Sequence, residues 1–257
     1  MTTFYEAIKI FLGSPSKNYS KIRPFLLSKY NLYRRRIAEF LGNDTFSKPY
    51  PGHEALLNEI NHNDGFYVVC GANDGHMVDP TYYLEKFRNW SGILIEPLPK
   101  AAKSCRENRP NSIVIETALV PKSYPSKTII IYDCNAMSVT DTTIFDKEEW
   151  TKSGERAQNI ASVKRMVQAN TLDSILSSEK IPHIIDLLVI DVEGSEIAVL
   201  NGLSLDKYKP NYILIEVHTE KIKGEIESLI LDNYSFLSKI GLEDHLYIRK
   251  EYAKHES

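Results

Sequence analysis

Five short, uniformly apolar runs constrain this fold more than any other feature of the sequence. They are Phe66–Cys70, Ile93–Ile95, Ile113–Ile115, Leu187–Ile190 and Tyr212–Val217. Strands covered on both faces are apolar throughout, whereas strands with one exposed face alternate between apolar and polar residues. Amphipathic helical patterns lie between several of the runs. The sequence therefore predicts an α/β fold, with a doubly wound, mostly parallel sheet and right-handed crossovers.

The two ends of the chain depart from this alternation. Near the C-terminus the runs YSFLSKI and HLYIRK are joined by GLED, which predicts an antiparallel hairpin. Near the N-terminus two prolines and a glycine in SKPYPGHE mark a boundary close to residue 50. We therefore expect an N-terminal helical segment over residues 1–50 and a main domain over residues 51–257.

The charge distribution is uneven. The whole chain has a net charge of −3, but the segment Lys17–Lys48 carries eight basic and two acidic residues. The apolar face predicted for its helix consists of Leu26, Tyr30, Tyr33, Ile37, Phe40 and Leu41. The overall charge argues against bulk nucleic-acid binding. The basic segment predicts either a docking site for an acidic partner or a solvated face on a helix that packs against the main domain.

Composition also indicates a compartment. The three cysteines form no CxxC pair, which argues against a disulfide framework or a zinc site. The chain contains no apolar run approaching the roughly 18 residues that a transmembrane helix needs. The first residues, MTTFYEAIKIFLG, lack the basic leader and cleavage site of a signal peptide. These features predict a cytoplasmic protein without a transmembrane segment, and they leave the oligomeric state open.

A glycine-rich turn follows the first predicted strand. In GFYVVCGANDGHMVDP the candidate ligand-binding residues are Gly71, Asn73, Asp74 and Gly75. Such a turn allows backbone N–H groups to approach a ligand closely. The second strand ends at Glu96, just before Pro97 and about twenty residues after the turn, which is the spacing of a carboxylate that binds ribose hydroxyls. The pattern predicts a nucleotide cofactor, and on this evidence a nicotinamide-dependent oxidoreductase remains an alternative.

Four motifs occur in a fixed order: GANDG, TYYLEKFRNWSGILIEPLP, LLVIDVEGSEIAVLNGL and ILIEVH. Together they resemble the FkbM family of S-adenosylmethionine-dependent methyltransferases over residues 64–250. The resemblance implies a Rossmann-like class I methyltransferase fold, whose seven-stranded sheet ends in an antiparallel strand. It also implies S-adenosylmethionine as cofactor, with Thr117 and Ala118 near the adenine, and methylation of a hydroxyl on a sugar, glycan or glycoconjugate.

One residue departs from the family pattern. Val69 stands two positions before the first glycine of GANDG, where the family usually carries an acidic residue. In related enzymes that carboxylate helps to organise the methionine end of the cofactor. Asp74 or another acid is a candidate substitute. A cofactor-binding scaffold protein with weak or no catalysis is therefore a second alternative to an active enzyme.

Two neighbouring strands end in ionisable residues. IDVEGSE presents Asp191, Glu193 and Glu196, and IEVH presents Glu216 and His218. The carboxyl ends of adjacent parallel strands meet where ligands bind. In one hypothesis His218 is the general base, oriented by Asp191 or Glu193. In the other, Asp191, Glu193 and His218 hold Mg²⁺ or Mn²⁺, which lowers the pKa of the acceptor hydroxyl. We expect a dipole-favoured position for Glu196 and a structural hydrogen bond for Glu216.

A long segment over residues 132–160 shows no clear periodicity. It contains Asn135, Ser138, Thr140 and Trp150, which suit a hydroxylated ligand. Irregular segments of this length in compact domains are often lids or substrate loops. We expect this one to contact the acceptor, with a disordered insert as the alternative.

Overall fold

The computed structural model describes residues 34–44, 53–77, 79–179, 181 and 184–256. The chain divides into two compact units, Met1–Lys48 and Pro49–Ser257. In the described part of the first unit, residues 34–40 form helix α1. Arg35 and Ala38 are buried there, while Ile37 and Phe40 are exposed. In this part the buried face is thus not the predicted apolar one, and the rest of Lys17–Lys48 lies outside the described residues.

The second unit contains two sheets. The strands, in chain order, are β1 (Phe66–Cys70), β2 (Ser91–Ile95), β3 (Ile113–Ile115), β4 (Ala118–Leu119), β5 (Thr128–Asp133), β6 (Val139–Thr140), β7 (Val163–Asn170), β8 (Leu187–Ile190), β9 (Tyr212–Glu216), β10 (Tyr234–Ile240) and β11 (Asp244–Arg249). The larger sheet has seven strands in the order β10-β11-β9-β8-β1-β2-β3. Strands β3, β2, β1, β8 and β9 are parallel, and β11 is antiparallel to both of its neighbours. This topology confirms the predicted class I methyltransferase fold, including the terminal hairpin.

The helices cover both faces of the larger sheet or connect its strands. They are α2 (Glu54–Glu59), α3 (Thr81–Phe87), α4 (Pro99–Asn108), α5 (Lys147–Gln158), α6 (Leu172–Ser178), α7 (Glu196–Asn201), α8 (Glu220–Ile230) and α9 (Lys250–Glu256). Side-chain oxygens of Asp146, Thr171 and Thr219 cap α5, α6 and α8. Helix α8 buries Ile222, Ile226 and Ile230 on one face, while Leu229 is 41% exposed.

Strand β1 shows why its apolar run is uninterrupted. Val68 and Cys70 belong to the hydrophobic cluster on one face of the sheet. Tyr67 and Val69 belong to the cluster on the opposite face. Both faces of this central strand are therefore buried, and every position along it must be apolar or have a buried partner.

The smaller sheet was not predicted. Its four strands run in the order β4-β7-β5-β6, and β5 pairs antiparallel with β7 over six residues. The segment over residues 132–160 lies mostly between β5 and β7 of this sheet, and it is more regular than expected. A 3₁₀ turn (Asn135–Met137), β6 and α5 lie within that segment. Among the described helices, none is long and apolar enough to cross a membrane.

Candidate active site

A cavity of about 320 Å³ lies at the carboxyl ends of the central strands. Gly71 follows β1, Glu96 follows β2, Asp191 follows β8 and Glu216 ends β9, and all four line the cavity. Parallel strands bring their carboxyl ends to one edge, so residues distant in sequence meet there. Among the described lining residues none is lysine, arginine or histidine. The cavity is therefore strongly acidic.

The glycine-rich turn forms part of the cavity wall. A Cβ at Gly71, where φ is +87°, would lie 1.7 Å from the backbone oxygen of Asp191. Glycine is therefore required here by the contact between two strand ends. Asn73 adopts a left-handed φ of 45° and also lines the cavity. Asparagine tolerates this conformation better than most residues, so the turn does not need a glycine at this position.

Two residues of the turn that we expected at the cofactor lie elsewhere. Asp74 does not line the cavity, and its Oδ1 accepts hydrogen bonds from the backbone N–H groups of His76 and Met77. Gly75 packs against α4, where an added Cβ would lie 2.6 Å from Cys105 Sγ. In the structure Asp74 and Gly75 shape the turn.

Glu96 is well placed to receive hydroxyl donors. It is only 6% exposed, and it lines the cavity beside Pro97. Its Oε2 accepts from the N–H of Asn73 at 2.9 Å and its Oε1 from the N–H of Leu98 at 2.8 Å. Burial raises the pKa of Glu96 to about 7, against the lowering effect of these two hydrogen bonds. Each oxygen keeps a free lone pair, so the carboxylate can accept two more donors.

The wall beyond Glu96 is formed by the start of β4. Thr117 and Ala118 line the cavity, and both are buried. Asn170 Nδ2 donates to Thr117 Oγ1 at 3.0 Å, which ties this wall to β7. Val69 lines the same cavity with an apolar side chain. Asp79 and Asp191, unlike Asp74, are acidic residues that line this cavity.

A buried arginine holds the glycine-rich turn in place, a role that sequence reasoning missed. Arg109, at the end of α4, is fully buried. Its Nη1 donates to the backbone oxygen of Gly75 at 3.0 Å and to Asp79 Oδ2 at 2.7 Å. Its Nε donates to Glu85 Oε2 at 2.8 Å. The sequence signal was weak, because an arginine before a proline gives no indication of burial.

The opposite wall carries three carboxylates. Asp191, Glu193 and Glu216 all line the cavity. Burial, together with the charge of Glu216, raises the pKa of Asp191 well above its usual range. The same two effects raise the pKa of Glu193 to about 8. Glu193 has a left-handed φ of 52°, a strained conformation for a residue with a side chain.

Glu196 has the local role that we expected of a helix-start carboxylate. It is completely buried, and its Oε1 accepts from the N–H groups of Val192 and Gly194. Burial raises its pKa to about 7. It thus holds the turn that presents Glu193.

His218 lies behind this wall. Its Nε2 is 2.8 Å from Glu216 Oε2, and its Nδ1 is 3.4 Å from Glu243 Oε2. The partner of His218 is therefore Glu216, where we had expected Asp191 or Glu193, and the ring does not line the cavity. Burial lowers the pKa of His218, but contact with Glu216 and the charge of Glu243 outweigh it and raise the pKa to about 9.

The potential metal ligands also differ from the expected set. Within the described ranges, one group of three residues has ligand atoms that all lie within 4.8 Å of one another: Glu193, Glu216 and His218. Asp191, which we had included, is outside this group. Glu216, which we had assigned a structural hydrogen bond, is a member.

The segment over residues 132–160 reaches this wall. Asn135, Ser138 and Thr140 line the cavity. The rings of Phe145 and Trp150 stack 4.2 Å apart and lie 4.9 Å and 5.5 Å from the ring of His218. Phe145 was missed in the sequence because it sits before α5 in a polar stretch.

Backbone contacts fasten the same segment to the turn after β8. Thr143 Oγ1 donates to the backbone oxygen of Glu193 at 3.1 Å. The N–H of Ile144 donates to the backbone oxygen of Gly194 at 2.9 Å. A Cβ at Gly194, where φ is +87°, would lie 2.5 Å from Thr143 Oγ1. The segment and the turn after β8 are thus packed without space between them.

A family model described as the methyltransferase FkbM domain matches residues 70–250 of this chain. No curated protein matches the chain in sequence. The match spans the cavity and both of the walls described above.

Several solved structures resemble the chain at low identity. A methyltransferase FkbM from Methylobacillus flagellatus KT is 16% identical, with a TM-score of 0.42, over 72% of this chain and 43% of that one. A methyltransferase from Pyrococcus furiosus is 15% identical, with a TM-score of 0.40, over 86% of this chain and 96% of that one. Aeropyrum pernix fibrillarin, solved with natively bound S-adenosylmethionine, is 12% identical, with a TM-score of 0.39, over 73% and 66%. This chain therefore spans less than half of the first of these proteins.

Proposed function

This chain belongs to the FkbM methyltransferase family, whose cofactor is S-adenosylmethionine, and from that premise we propose that it methylates a hydroxyl of a sugar, glycan or glycoconjugate. The observation that carries the proposal is the composition of the cavity at the carboxyl ends of the central strands. Glu96 lies on one wall, Asp191, Glu193 and Glu216 lie on the other, and Ser138 and Thr140 add hydroxyl groups between them. These groups accept hydrogen bonds from hydroxyl donors.

The residues of the cavity fit S-adenosylmethionine. Glu96 would hold the ribose hydroxyls, Gly71 and Asn73 would allow close approach, and Thr117 and Ala118 would border the adenine. When bound, the cofactor supplies a methyl group: the acceptor oxygen bonds to the methyl carbon while the carbon–sulfur bond breaks and its electron pair stays on sulfur. The protein has to align the acceptor and remove its proton.

We assign Asp191 as the general base that accepts the proton of the acceptor hydroxyl. Its carboxylate lines the cavity, whereas the ring of His218 does not. This assignment moves the role of general base from His218 to Asp191, because His218 contacts Glu216 and does not line the cavity. The proposal also includes a divalent metal ion beside the acceptor hydroxyl, which would lower the pKa of that hydroxyl.

The acidic cavity narrows the class of acceptor. No described lining residue is positively charged. A phosphate or carboxylate on the acceptor would therefore find no cationic side chain to pair with along the described lining. We therefore propose a neutral polyol at the reacting end of the acceptor.

The test is a transfer assay with methyl-labelled S-adenosylmethionine on neutral and anionic oligosaccharides. We expect a base-stable methyl ether on a neutral sugar. Asp191→Asn should lower kcat by about 100-fold or more, with little change in affinity for S-adenosylhomocysteine. The matched control is Asp206→Asn, at an exposed position outside the cavity.

Label found on nitrogen, or a fully active Asp191→Asn protein, would contradict the assignment. The two alternatives from sequence are separated by thermal shift. S-adenosylhomocysteine should raise Tm and NAD should not. Binding of S-adenosylhomocysteine without turnover on any acceptor would favour a scaffold protein.

A further inference from the structure

Three side chains converge at the edge of the cavity where β8 and β9 end. Glu193, Glu216 and His218 each offer one ligand atom, and these atoms all lie within 4.8 Å of one another. With metal–ligand bonds of about 2.1 Å, octahedral ligands lie about 3 Å apart when adjacent and about 4.2 Å apart when opposite. The three atoms are therefore close to the separations that a single ion requires.

The contact between two of these residues lacks the alignment of a hydrogen bond. His218 Nε2 and Glu216 Oε2 are 2.8 Å apart. Both atoms are buried, yet within the described part of the chain neither has an aligned hydrogen-bond partner. Buried polar atoms are almost always satisfied. The two atoms lie at a separation that two ligands of one cation can adopt.

The other ring nitrogen of His218 has the partner that a metal-binding histidine needs. Nδ1 lies 3.4 Å from Glu243 Oε2. A histidine that ligates a metal commonly directs its second ring N–H toward a carboxylate, which fixes the tautomer and orients the ring. An ion that binds Nε2 would displace any proton there and leave the ring proton on Nδ1, which faces Glu243.

Aromatic rings close the outer side of the group. Phe145 and Trp150 contact the ring of His218 edge-on. Apolar walls of this kind limit water at a metal and strengthen its interaction with charged ligands. Glu193 and Glu216 also line the cavity, so the group borders the space proposed for the acceptor.

We propose that Glu193, Glu216 and His218 bind a divalent first-row metal ion, with Glu243 positioning His218. One imidazole with two carboxylates suits Mn²⁺ better than Mg²⁺, because Mg²⁺ prefers oxygen ligands alone. The site deepens the proposed function, on which its catalytic role rests, since it lies beside Asp191. The binding itself is independent of any acceptor.

In the experiment the metal-free protein is titrated with Mn²⁺, and binding is monitored by electron paramagnetic resonance. His218→Ala and Glu216→Gln should each weaken Mn²⁺ binding by at least about 10-fold, and Glu243→Gln by about 10-fold, as outer ligands do. Glu220→Gln makes the same chemical change on an exposed carboxylate of α8. It should leave Mn²⁺ affinity unchanged within about twofold.

Affinity for S-adenosylhomocysteine is measured on the same samples. If the wild-type protein binds Mn²⁺ but does not bind S-adenosylhomocysteine, the proposed function is refuted and the metal site stands. Mn²⁺ binding that is absent, or unchanged in both His218→Ala and Glu216→Gln, would overturn the metal site. If either variant fails to fold, Glu193→Gln in the partly exposed turn provides the same comparison.

Discussion

Replacing Glu96 with glutamine should alter cofactor affinity and stability in opposite ways as pH changes. The carboxylate is buried and accepts two backbone N–H groups, from Asn73 and Leu98. Glutamine keeps the shape but offers one acceptor oxygen and a donor NH₂. The variant therefore leaves one of these N–H groups facing a donor, which costs about 1–3 kcal/mol.

The raised pKa sets the pH dependence. The pKa of Glu96 is about 7 in the folded protein and 4.5 as the ordinary value. The folded state therefore binds more protons than the unfolded state between these values, and stability falls as pH rises through this window. The difference corresponds to roughly 3 kcal/mol at pH 8. At pH 5 Glu96→Gln should be less stable than wild type by about 1–3 kcal/mol. At pH 8 the cost of the lost hydrogen-bond acceptor and the gain from removing a buried charge should nearly cancel.

Cofactor binding should show the reverse trend. Hydroxyl donors favour the ionised carboxylate, so binding should release a proton and affinity for S-adenosylhomocysteine should weaken as pH falls below 7. At pH 8 Glu96→Gln should weaken binding by about 10- to 150-fold, which corresponds to 1.5–3 kcal/mol. Calorimetry in buffers of different ionisation enthalpy measures the affinity and the released proton together.

The matched control is Glu107→Gln, an exposed glutamate on α4. It should change neither affinity nor proton release. Unchanged affinity in folded Glu96→Gln, or proton release that persists in it, would show that the cofactor does not bind through this carboxylate.

Two further predictions concern backbone conformation. Gly71→Ala should destabilise the protein by more than about 3 kcal/mol in thermal unfolding, because the new Cβ would overlap the carbonyl of Asp191. Gly224→Ala should instead stabilise α8 by about 0.5–1 kcal/mol, because a Cβ there would meet nothing within 4 Å. In metal-free protein Glu193→Gly should keep or raise Tm, since it relieves a left-handed φ, while transfer activity falls by about 100-fold or more. Equal tolerance of both alanine variants, or a marked loss of Tm in Glu193→Gly, would contradict these arguments.

The larger sheet was predictable because its strands are buried on both faces. Their uniformly apolar runs located β1, β8 and β9 within one or two residues of the observed bounds. The smaller sheet was not, because β7 is mostly exposed and mixes polar with apolar side chains. Helix α5 is polar around most of its surface, so its sequence shows no apolar stripe from which a helix could be predicted.

The candidate site was predictable by position more than by contact. Strand ends identified Asp191, Glu193 and Glu216 as neighbours. The pairing of Glu216 with His218 depends on side-chain direction, which alternates along a strand and changes where the strand ends. The roles of Gly75 and Arg109 depend on packing between α4 and the turn, which no local pattern records. Glu243 comes from the turn of the C-terminal hairpin, far from the motifs.

The fastening of residues 138–145 onto the turn after β8 has an evolutionary consequence. The residues proposed to hold the cofactor lie on the turns after β1 and β2 and at the start of β4, whereas Phe145, Trp150 and the cavity hydroxyls belong to one stretch between β5 and β7. That stretch can be exchanged as a unit if it keeps its hydrogen bonds to the Glu193–Gly194 backbone and to Ser195 and its fit against Gly194. Homologues with new acceptors should therefore differ most between β5 and β7 while keeping glycine at 194.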